Sequence, residues 1–463
     1  MNFYLIVLGS GPGGYVAAIR GAQLGMNVAV VEKSELGGIC LNWGCIPTKA
    51  LLKSAQVFNY MKHSEDYGIE IDGNAIPNFS KVIERSRDIA NNMSKGIEFL
   101  FKKNKISVFN GFGTLKPNKT ILVKSENGQE EEITGNHIIL ATGARSKQME
   151  GFKQDGKNII GYKEALSLEK LPQSMAVIGS GAIGTELAFF YNSMGTEVSL
   201  IEFMPNITPL EDEEVSKQLG RSLKKAGIKI MTKTSVNKVD ISDGLCTIHY
   251  TDKKGENSME AEVVLSAVGV VSNIENIGLE EIGVKTEKGK VLVDDFYKTN
   301  IEGVYAIGDI IPGPALAHVA SAEAITCVEK IAGINPPKVD YNNIPSCVYS
   351  VPEVASVGIT EQYAKDKGID YKIGKFPFIA SGKAASAGNK DGFVKLIFDA
   401  GTDELLGAHF VGDNIAEMIS EMVVLKKLKG KGKDLIKSIH PHPSLSESIM
   451  EAAAAAHNEV IHL

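Results

Sequence analysis

Cysteine is scarce in this chain of 463 residues: there are five, and there is a single tryptophan. Five thiols are too few for the disulfide framework of a secreted scaffold. No apolar run approaches the roughly 20 residues of a membrane-spanning helix. Positive charge is not in excess either. Lys and Arg number 49 against 56 Asp and Glu, the net charge is -7, and no long basic stripe occurs, which argues against a nucleic-acid partner. The first strand, Phe3 to Leu8, begins almost at Met1, so neither a signal peptide nor a transit segment is expected before it. The expectation is a soluble protein in a reducing compartment, without membrane association. That fits the bacterial cytoplasm, or an organelle matrix if a presequence has been removed. The 43% hydrophobic content allows sizeable cores, and the length suggests three or four domains or subdomains.

Two of the few cysteines, Cys40 and Cys45, fall in Gly37-Gly38-Ile39-Cys40-Leu41-Asn42-Trp43-Gly44-Cys45-Ile46-Pro47-Thr48-Lys49. On a regular helix residues at this spacing are displaced by about 7.5 Å along the axis. A disulfide needs Cα atoms closer than about 7 Å. Bridging them therefore requires a bent turn, which Gly44 and Pro47 allow. Such a bridge would be reducible rather than structural, and a sulfur pair beside a dinucleotide turn suggests electron exchange. A metal site lacks further ligands nearby, since the first histidine is His63. Two unpaired thiols in a helix remain an alternative. Cys246, Cys327 and Cys347 are scattered and read as buried free thiols.

The strand before this segment runs into Gly9-Ser10-Gly11-Pro12-Gly13-Gly14. A helical stretch and the strand Val28 to Glu32 follow. This is a β-α-β unit with a glycine turn for a pyrophosphate and an acid, Glu32, for a ribose diol. The unit recurs as strand Met175 to Ile178, turn Gly179-Ser180-Gly181-Ala182-Ile183-Gly184 and strand Glu197 to Glu202. The separation from first glycine to acid is the same in both. One glycine turn is a weak signal; two in one register predict two bound dinucleotides. Glu202 is followed by Phe203-Met204-Pro205-Asn206, without Arg or Lys. A carboxylate there accepts ribose hydroxyls and repels a 2′-phosphate, which favours NAD over NADP.

Near the other end, His440-Pro441-His442 precedes Ser444-Leu445-Ser446-Glu447. His-x-His can bind metal, but no other ligand cluster is nearby. Ser444 to Glu447 is a capping box opening a helix that continues through the Ala452–Ala456 run. Imidazole has a pKa near neutrality and suits a proton acceptor.

Taken together, these motifs, with Ala141-Thr142-Gly143 and Tyr305-Ala306-Ile307-Gly308-Asp309, occur in an order that resembles the class I pyridine nucleotide–disulfide oxidoreductases over essentially the whole length. The resemblance implies an α/β fold with two Rossmann-like dinucleotide-binding domains, for FAD and NAD, and a C-terminal α+β dimerisation domain. It implies oxidation of dihydrolipoamide on protein-bound lipoyl groups, with NAD reduced to NADH through a Cys40–Cys45 disulfide and FAD. Cys40 would be the interchange thiol. His442 would accept the substrate proton, oriented by Glu447, and act at the disulfide of the other subunit of a homodimer. Lys49 and Glu186 resemble the ion pair beside the flavin. FAD contacts are implied at Gly9, Gly11, Gly14, Glu32, Lys33, Gly38, Gly113, Ala141, Thr142, Gly143, Asp309 and the segment Ala315, Leu316, Ala317, His318. NAD contacts are implied at Gly179, Gly181, Ala182, Ile183, Gly184, Glu202, Val236 and Gly269. The partners implied are a lipoyl-bearing acyltransferase core of a 2-oxo acid dehydrogenase complex, or a glycine cleavage carrier protein.

The layout expected is an FAD domain over 1–146 with a helical insertion from Ser54 to Lys103, an NAD domain over 147–270, a central domain over 271–342 and a dimerisation domain over 343–463. The basic run Lys426 to Lys433 reads as a solvated loop. The chain departs from the usual family pattern at Ile39, Trp43, Val319, Ser321, Val351 and Ser356. The alternatives are another disulfide reductase of the same family or a non-catalytic assembly subunit. Intact Cys40, Cys45, His442 and Glu447 speak against the latter.

Overall fold

The computed structural model describes residues 1–463. The chain divides into two units, each assembled from three segments. The first comprises Met1–Ala50, Glu84–Lys147 and Gly269–Asp340; the second comprises Leu51–Ile83, Gln148–Val268 and Tyr341–Leu463.

In the first unit, β1 (Asn2–Leu8), α1 (Pro12–Gln23) and β2 (Val28–Glu32) form the expected β-α-β unit. β2 is buried along its whole length, as parallel strands covered on both faces require. Its neighbours are β3 (Ser107–Asn110) and β1, and β1 pairs in turn with β6 (Glu130–Leu140), all in parallel. The sheet continues antiparallel through β5 (Thr120–Lys124) to β4 (Phe112–Lys116). A late strand, Val304–Ala306, joins the buried end of β6 in parallel. The inner face of α1 carries Gly13, Ala17, Ala18 and Gly21. These small residues let the helix lie close to the helix Ala317–Ile331; a Cβ on Gly13 would touch Ala320 at 3.4 Å.

The segment expected to be helical from Ser54 to Lys103 is interrupted. α3 (Cys45–Lys62) ends, a 3₁₀ turn spans Ser64–Tyr67, and α4 begins only at Phe79 and runs to Lys103. Gly68 and Gly73 adopt φ of 70° and 84° between them, a conformation that ends a helix. The chain passes from one unit to the other inside α3 and inside α4.

The second unit repeats the parallel architecture. Its five-stranded sheet has the order Lys229–Met231, Glu197–Ile201, Ser174–Ile178, Val263–Ser266, Ile159–Ile160. A second, antiparallel five-stranded sheet runs Ser346–Val348, Glu353–Gly358, Leu405–Gly412, Phe393–Asp399, Tyr371–Pro377. The alanine-rich helix Glu447–Ala456 packs on it so closely that a Cβ on Gly374 would lie 1.7 Å from the Ala452 carbonyl oxygen.

One row of register partners crosses this antiparallel sheet: Ser346, Ser356, His409, Lys395, Lys375. Directly paired residues share a face, and this face meets the acidic run Glu211 to Glu214. Ser346 donates to Glu211 at 3.2 Å. The fully buried Lys395 ammonium contacts Asp212 at 3.0 Å, Glu214 at 2.9 Å and Glu361 at 2.6 Å. Lys375 reaches Glu214 at 2.9 Å. Ser356 is thus part of a polar seam.

Two smaller expectations are corrected. Cys246 and Cys327 are buried, but Cys347 is only half-buried because its strand is the sheet edge. The basic run Lys426 to Lys433 is not one loop; it covers the end of helix Ile415–Lys427, a turn and the start of helix Gly432–Lys437. No helix is long and apolar enough to cross a membrane.

Candidate active site

The two glycine turns superimpose in their chemistry. Gly9 has φ 102° and Gly179 φ 97°; a Cβ on them would sit 2.3 Å from the Ala141 carbonyl oxygen and 2.5 Å from that of Ala267. On Gly14 it would lie 1.9 Å from the oxygen of Gly9, and on Gly184 2.0 Å from that of Gly179. Only glycine permits helix, turn and strand end to approach so closely. At Gly11 and Gly181, by contrast, a Cβ would meet open space; there the backbone faces outward at the positive end of a helix.

Behind each turn lies a buried acid. The Glu32 carboxylate accepts from Ser10 N at 2.8 Å, Ser10 Oγ at 2.7 Å and Ser34 N at 2.9 Å. Glu202 accepts from Ser180 N at 2.8 Å, Ser180 Oγ at 2.6 Å and Met204 N at 2.8 Å. Ser10 and Ser180 are site residues that sequence reasoning passed over. Their signal was present, since Gly-Ser-Gly opens both turns. Ser10 has a further partner: its Oγ and carbonyl oxygen both accept from Gly37 N, at 3.2 and 3.1 Å. Gly38, with φ 62°, comes close to the turn; a Cβ there would be 2.6 Å from Gly11 Cα. The glycine turn and the cysteine segment are therefore tied together within the first unit.

That segment holds a short α2 (Gly38–Trp43) that stops at Gly44 (φ −147°, ψ −114°), after which α3 starts directly at Cys45. The break is the bend that the cysteine spacing requires. It brings the two thiols together: Cys40, half-buried, is hydrogen bonded to Cys45, which is exposed. That hydrogen bond, followed by burial and the charge on Cys45, pushes the Cys40 thiol far up; the Lys49 ammonium pulls the other way. The Tyr15 phenol of α1 is raised by burial and then by both cysteines.

Most of the other expected first-unit residues lie along the same sheet end or the segments next to it. Thr142 Oγ1 donates to the Asn273 carbonyl at 2.6 Å and Gly143 has φ 68°. Burial raises the Asp309 carboxyl, with Lys290 opposing; Lys290 Nζ also donates to the Asp309 carbonyl at 2.6 Å. Ala315 and Leu316 lead into the helix that begins with Ala317 and His318. Gly113 has a packing reason of its own, because a Cβ would strike Leu8 at 2.3 Å. Lys33 lies 5.9 Å over the Phe112 ring. Gly269, expected with the NAD contacts, is in the first unit, where its carbonyl accepts from Lys147 N at 3.0 Å.

In the second unit, the buried Glu186 accepts from Tyr349 N at 2.9 Å. Val236 is half-buried beside a bulge in strand Ser235–Ser242. His442 is 82% exposed, and its Nδ1 is 2.9 Å from Glu447 Oε1. Glu447 Oε2 accepts from Ser444 N at 2.8 Å, and Ser444 Oγ accepts from Glu447 N at 3.3 Å. One carboxylate thus closes the turn from Ser444 ahead of the helix and holds the imidazole at once; the helix itself starts at Glu447, where Ser446 makes no side-chain cap. Burial opposes it, but the Ser444 N–H and then His442 hold the Glu447 carboxyl below its ordinary value. His440 differs. Its ring is nearly buried, with Nε2 3.1 Å from Glu421 and Nδ1 3.2 Å from the Ser438 carbonyl. Both of its nitrogens are engaged, whereas most of the His442 side chain is exposed.

A family model described as "Pyridine nucleotide-disulphide oxidoreductase" matches residues 3–324, and one for that family's dimerisation domain matches residues 344–453. The chain belongs to the pyridine nucleotide-disulphide oxidoreductase family. Among curated relatives, dihydrolipoyl dehydrogenase of Rhizobium etli is 46% identical over 99% of each chain. That of Bacillus subtilis is 44% identical over 100% of this chain and 99% of its own. The mitochondrial dihydrolipoyl dehydrogenase of Pisum sativum is 41% identical over 99% of this chain and 92% of its own. The crystal structure of LpdA from Mycobacterium tuberculosis has a TM-score of 0.90, covering 97% of this chain and 99% of that one at 23% identity, a likeness of fold.

For a member of this family the second feature missed in the sequence is α4. Its side chains donate to four backbone carbonyls around the cysteines. Ser94 bonds Leu36 at 2.9 Å, Ser86 bonds Pro47 at 3.2 Å, Arg85 bonds Ala50 at 2.8 Å, and Arg87 bonds Asn42. Hydrogen bonds to carbonyls leave no trace in residue patterning, and these four residues look like an ordinary polar helix face.

Proposed function

We propose that this protein oxidises dihydrolipoamide to lipoamide and reduces NAD to NADH, the activity named for its curated relatives. The observation that carries the reading is the hydrogen-bonded Cys40–Cys45 pair across the Gly44 turn, tied through Gly37 and Gly38 to a dinucleotide turn. The residues fit the two cofactors. Gly11 and Gly181 leave open space that would admit a pyrophosphate, and Glu32 and Glu202 are the buried acids that would accept ribose hydroxyls. FAD, held by Gly9, Gly11, Gly14, Glu32 and Asp309, supplies the two-electron relay, and NAD, held by Gly179 to Gly184 and Glu202, the hydride acceptor.

The chain's own residues divide the remaining work. His442 takes a proton from the substrate thiol, while Glu447 fixes the ring and stabilises its cation. The resulting thiolate attacks Cys40, and Cys45 leaves as a thiolate. The second substrate thiol then closes the lipoyl ring and frees Cys40. Lys49 favours the thiolate forms by charge. As part of the same reading, 1–146 with 271–342 serves FAD, 147–270 serves NAD, and 343–463 pairs two copies, so that each His442 works at the disulfide of the other subunit. A lipoyl-bearing acyltransferase core or glycine cleavage carrier supplies the substrate, in a bacterial cytoplasm or organelle matrix.

The test is NADH formation from dihydrolipoamide with NAD, and with NADP in parallel. Turnover with NAD is expected, with a preference of at least about 100-fold over NADP, because Glu202 repels a 2′-phosphate. Absent turnover in protein that carries FAD would overturn the reading. Gly184→Ala is expected to raise the KM for NAD at least about tenfold, since the added Cβ forces the helix away from the turn. An unchanged KM would remove this turn from the NAD site.

A further inference from the structure

Disulfide exchange at Cys40–Cys45 forms and breaks one S–S bond per turnover. The dithiol gives up two electrons and two protons when the bond forms, and dihydrolipoamide returns them when it opens. The sulfur–sulfur separation must change each time, yet the two cysteines stand on different helices joined by one glycine. Within the segment Asn42 Nδ2 bonds the Leu36 and Gly38 carbonyls and Thr48 Oγ1 the Gly44 carbonyl; a further restraint on those helices lies outside it.

Four observations locate it. The α4 donors grip both sides of the Gly44 break: Leu36 and Asn42 on the side of α2, Pro47 and Ala50 on the side of α3. α3 is a long helix with its own regularity, whereas α2 has six residues and cannot hold itself. From α4, Arg87 reaches the end of α2: its Nη1 donates to the Asn42 carbonyl and its guanidinium lies 3.8 Å over the ring of Trp43. The ring is held from its edge as well, since Trp43 Nε1 donates to Glu35 at 3.2 Å. Planar stacking and a fixed donor fork are properties that Arg has and Lys lacks. Trp43 is the only tryptophan of the chain.

We propose that Arg87 is a positioning residue for the disulfide: by clamping Trp43 and the Asn42 carbonyl it holds Cys40 against Cys45 and raises their effective concentration toward each other. The chemistry it serves is that of the function proposed above, although the clamp acts on the cysteine pair whatever thiol arrives. Because it favours the bonded state, its loss shifts the pair toward the dithiol.

The test equilibrates holoenzyme in glutathione redox buffers, quenches with an alkylating reagent and reads the bonded fraction of Cys40–Cys45 by mass. Arg87→Met is expected to lower the thiol–disulfide equilibrium constant about tenfold, equivalent to about 30 mV for a two-electron couple. Arg87→Lys, which keeps the charge and one donor but not the stack, should fall between. Trp43→Leu removes the stacked ring from the other side and should match Arg87→Met, and it carries the test if that variant does not fold. Constants within twofold of wild type in folded, FAD-bearing Arg87→Met or Trp43→Leu protein would overturn the proposal. A wild-type enzyme that ignores dihydrolipoamide but equilibrates with glutathione would defeat the proposed substrate and leave the clamp to be judged on its own constant.

Discussion

Cys45→Ser protein is expected to fold, retain FAD and lose at least about a thousandfold in dihydrolipoamide-dependent NADH formation. The fold should survive because Cys45 is exposed at the first position of α3, where a polar residue of similar size costs within about 0.5 kcal/mol. Activity should not, because a serine cannot close a disulfide on Cys40 or leave as a thiolate. The comparison that gives the result meaning is Cys347→Ser. Cys347 belongs to the edge strand of the antiparallel sheet, and its replacement should leave turnover within about twofold. Lipoamide turnover persisting in Cys45→Ser would show that the exchange runs through another group.

The second large effect lies far from the chemistry. Lys395 is fully buried among Asp212, Glu214 and Glu361. Although burial opposes it, its carboxylate partners hold the ammonium well above its ordinary value. Lys395→Met leaves at least Asp212 buried and uncompensated, so a loss of about 3–5 kcal/mol in unfolding free energy is expected from urea titration. The pH dependence has a defined sign. Burial opposes it, but Lys365 and Lys395 hold the Glu361 carboxyl down at about 2, below an unfolded value of about 4.3. Its contribution is complete above that unfolded value and is lost as the pH falls toward 2. The wild type should therefore lose stability over that window more steeply than Lys395→Met. Equal slopes, or a loss below about 1 kcal/mol, would mean that the carboxylates find other partners.

Much of this molecule was legible in its sequence where the information is local. Each glycine turn and its acid sit within one β-α-β unit, so residue type and spacing were sufficient to place Gly9, Glu32, Gly179 and Glu202. The need for a break between Cys40 and Cys45 followed from helix geometry, and Gly44 supplies it. Glu447 showed both a capping and an orienting reading because the same short stretch carries both. What escaped was produced by register and by backbone acceptors. The seam of Ser346, Ser356, His409, Lys395 and Lys375 exists only once five strands are aligned; along the chain these are isolated polar residues. The α4 donors escaped because their partners are carbonyl oxygens, which every residue has. The interrupted helix before Phe79 escaped because Gly68 and Gly73 are isolated glycines among polar, helix-compatible residues.

The strand Val304–Ala306 has a consequence for biosynthesis. It completes the hydrogen bonding of Ile138 to Leu140 on β6, a stretch without exposed surface. The sheet that contains β6 is therefore left with a bare inner edge from the time Leu140 is made until Val304–Ala306 follows. That stretch is about 160 residues, which at about 5–20 residues per second takes roughly 8–30 s. Throughout it, no contiguous portion of the nascent chain contains either complete unit, since each is spliced from three stretches. A ribosome stalled in the second nucleotide-binding region would hold an apolar strand edge open to neighbouring chains, so chaperone capture of this polypeptide should be strongest for nascent lengths between β6 and Val304.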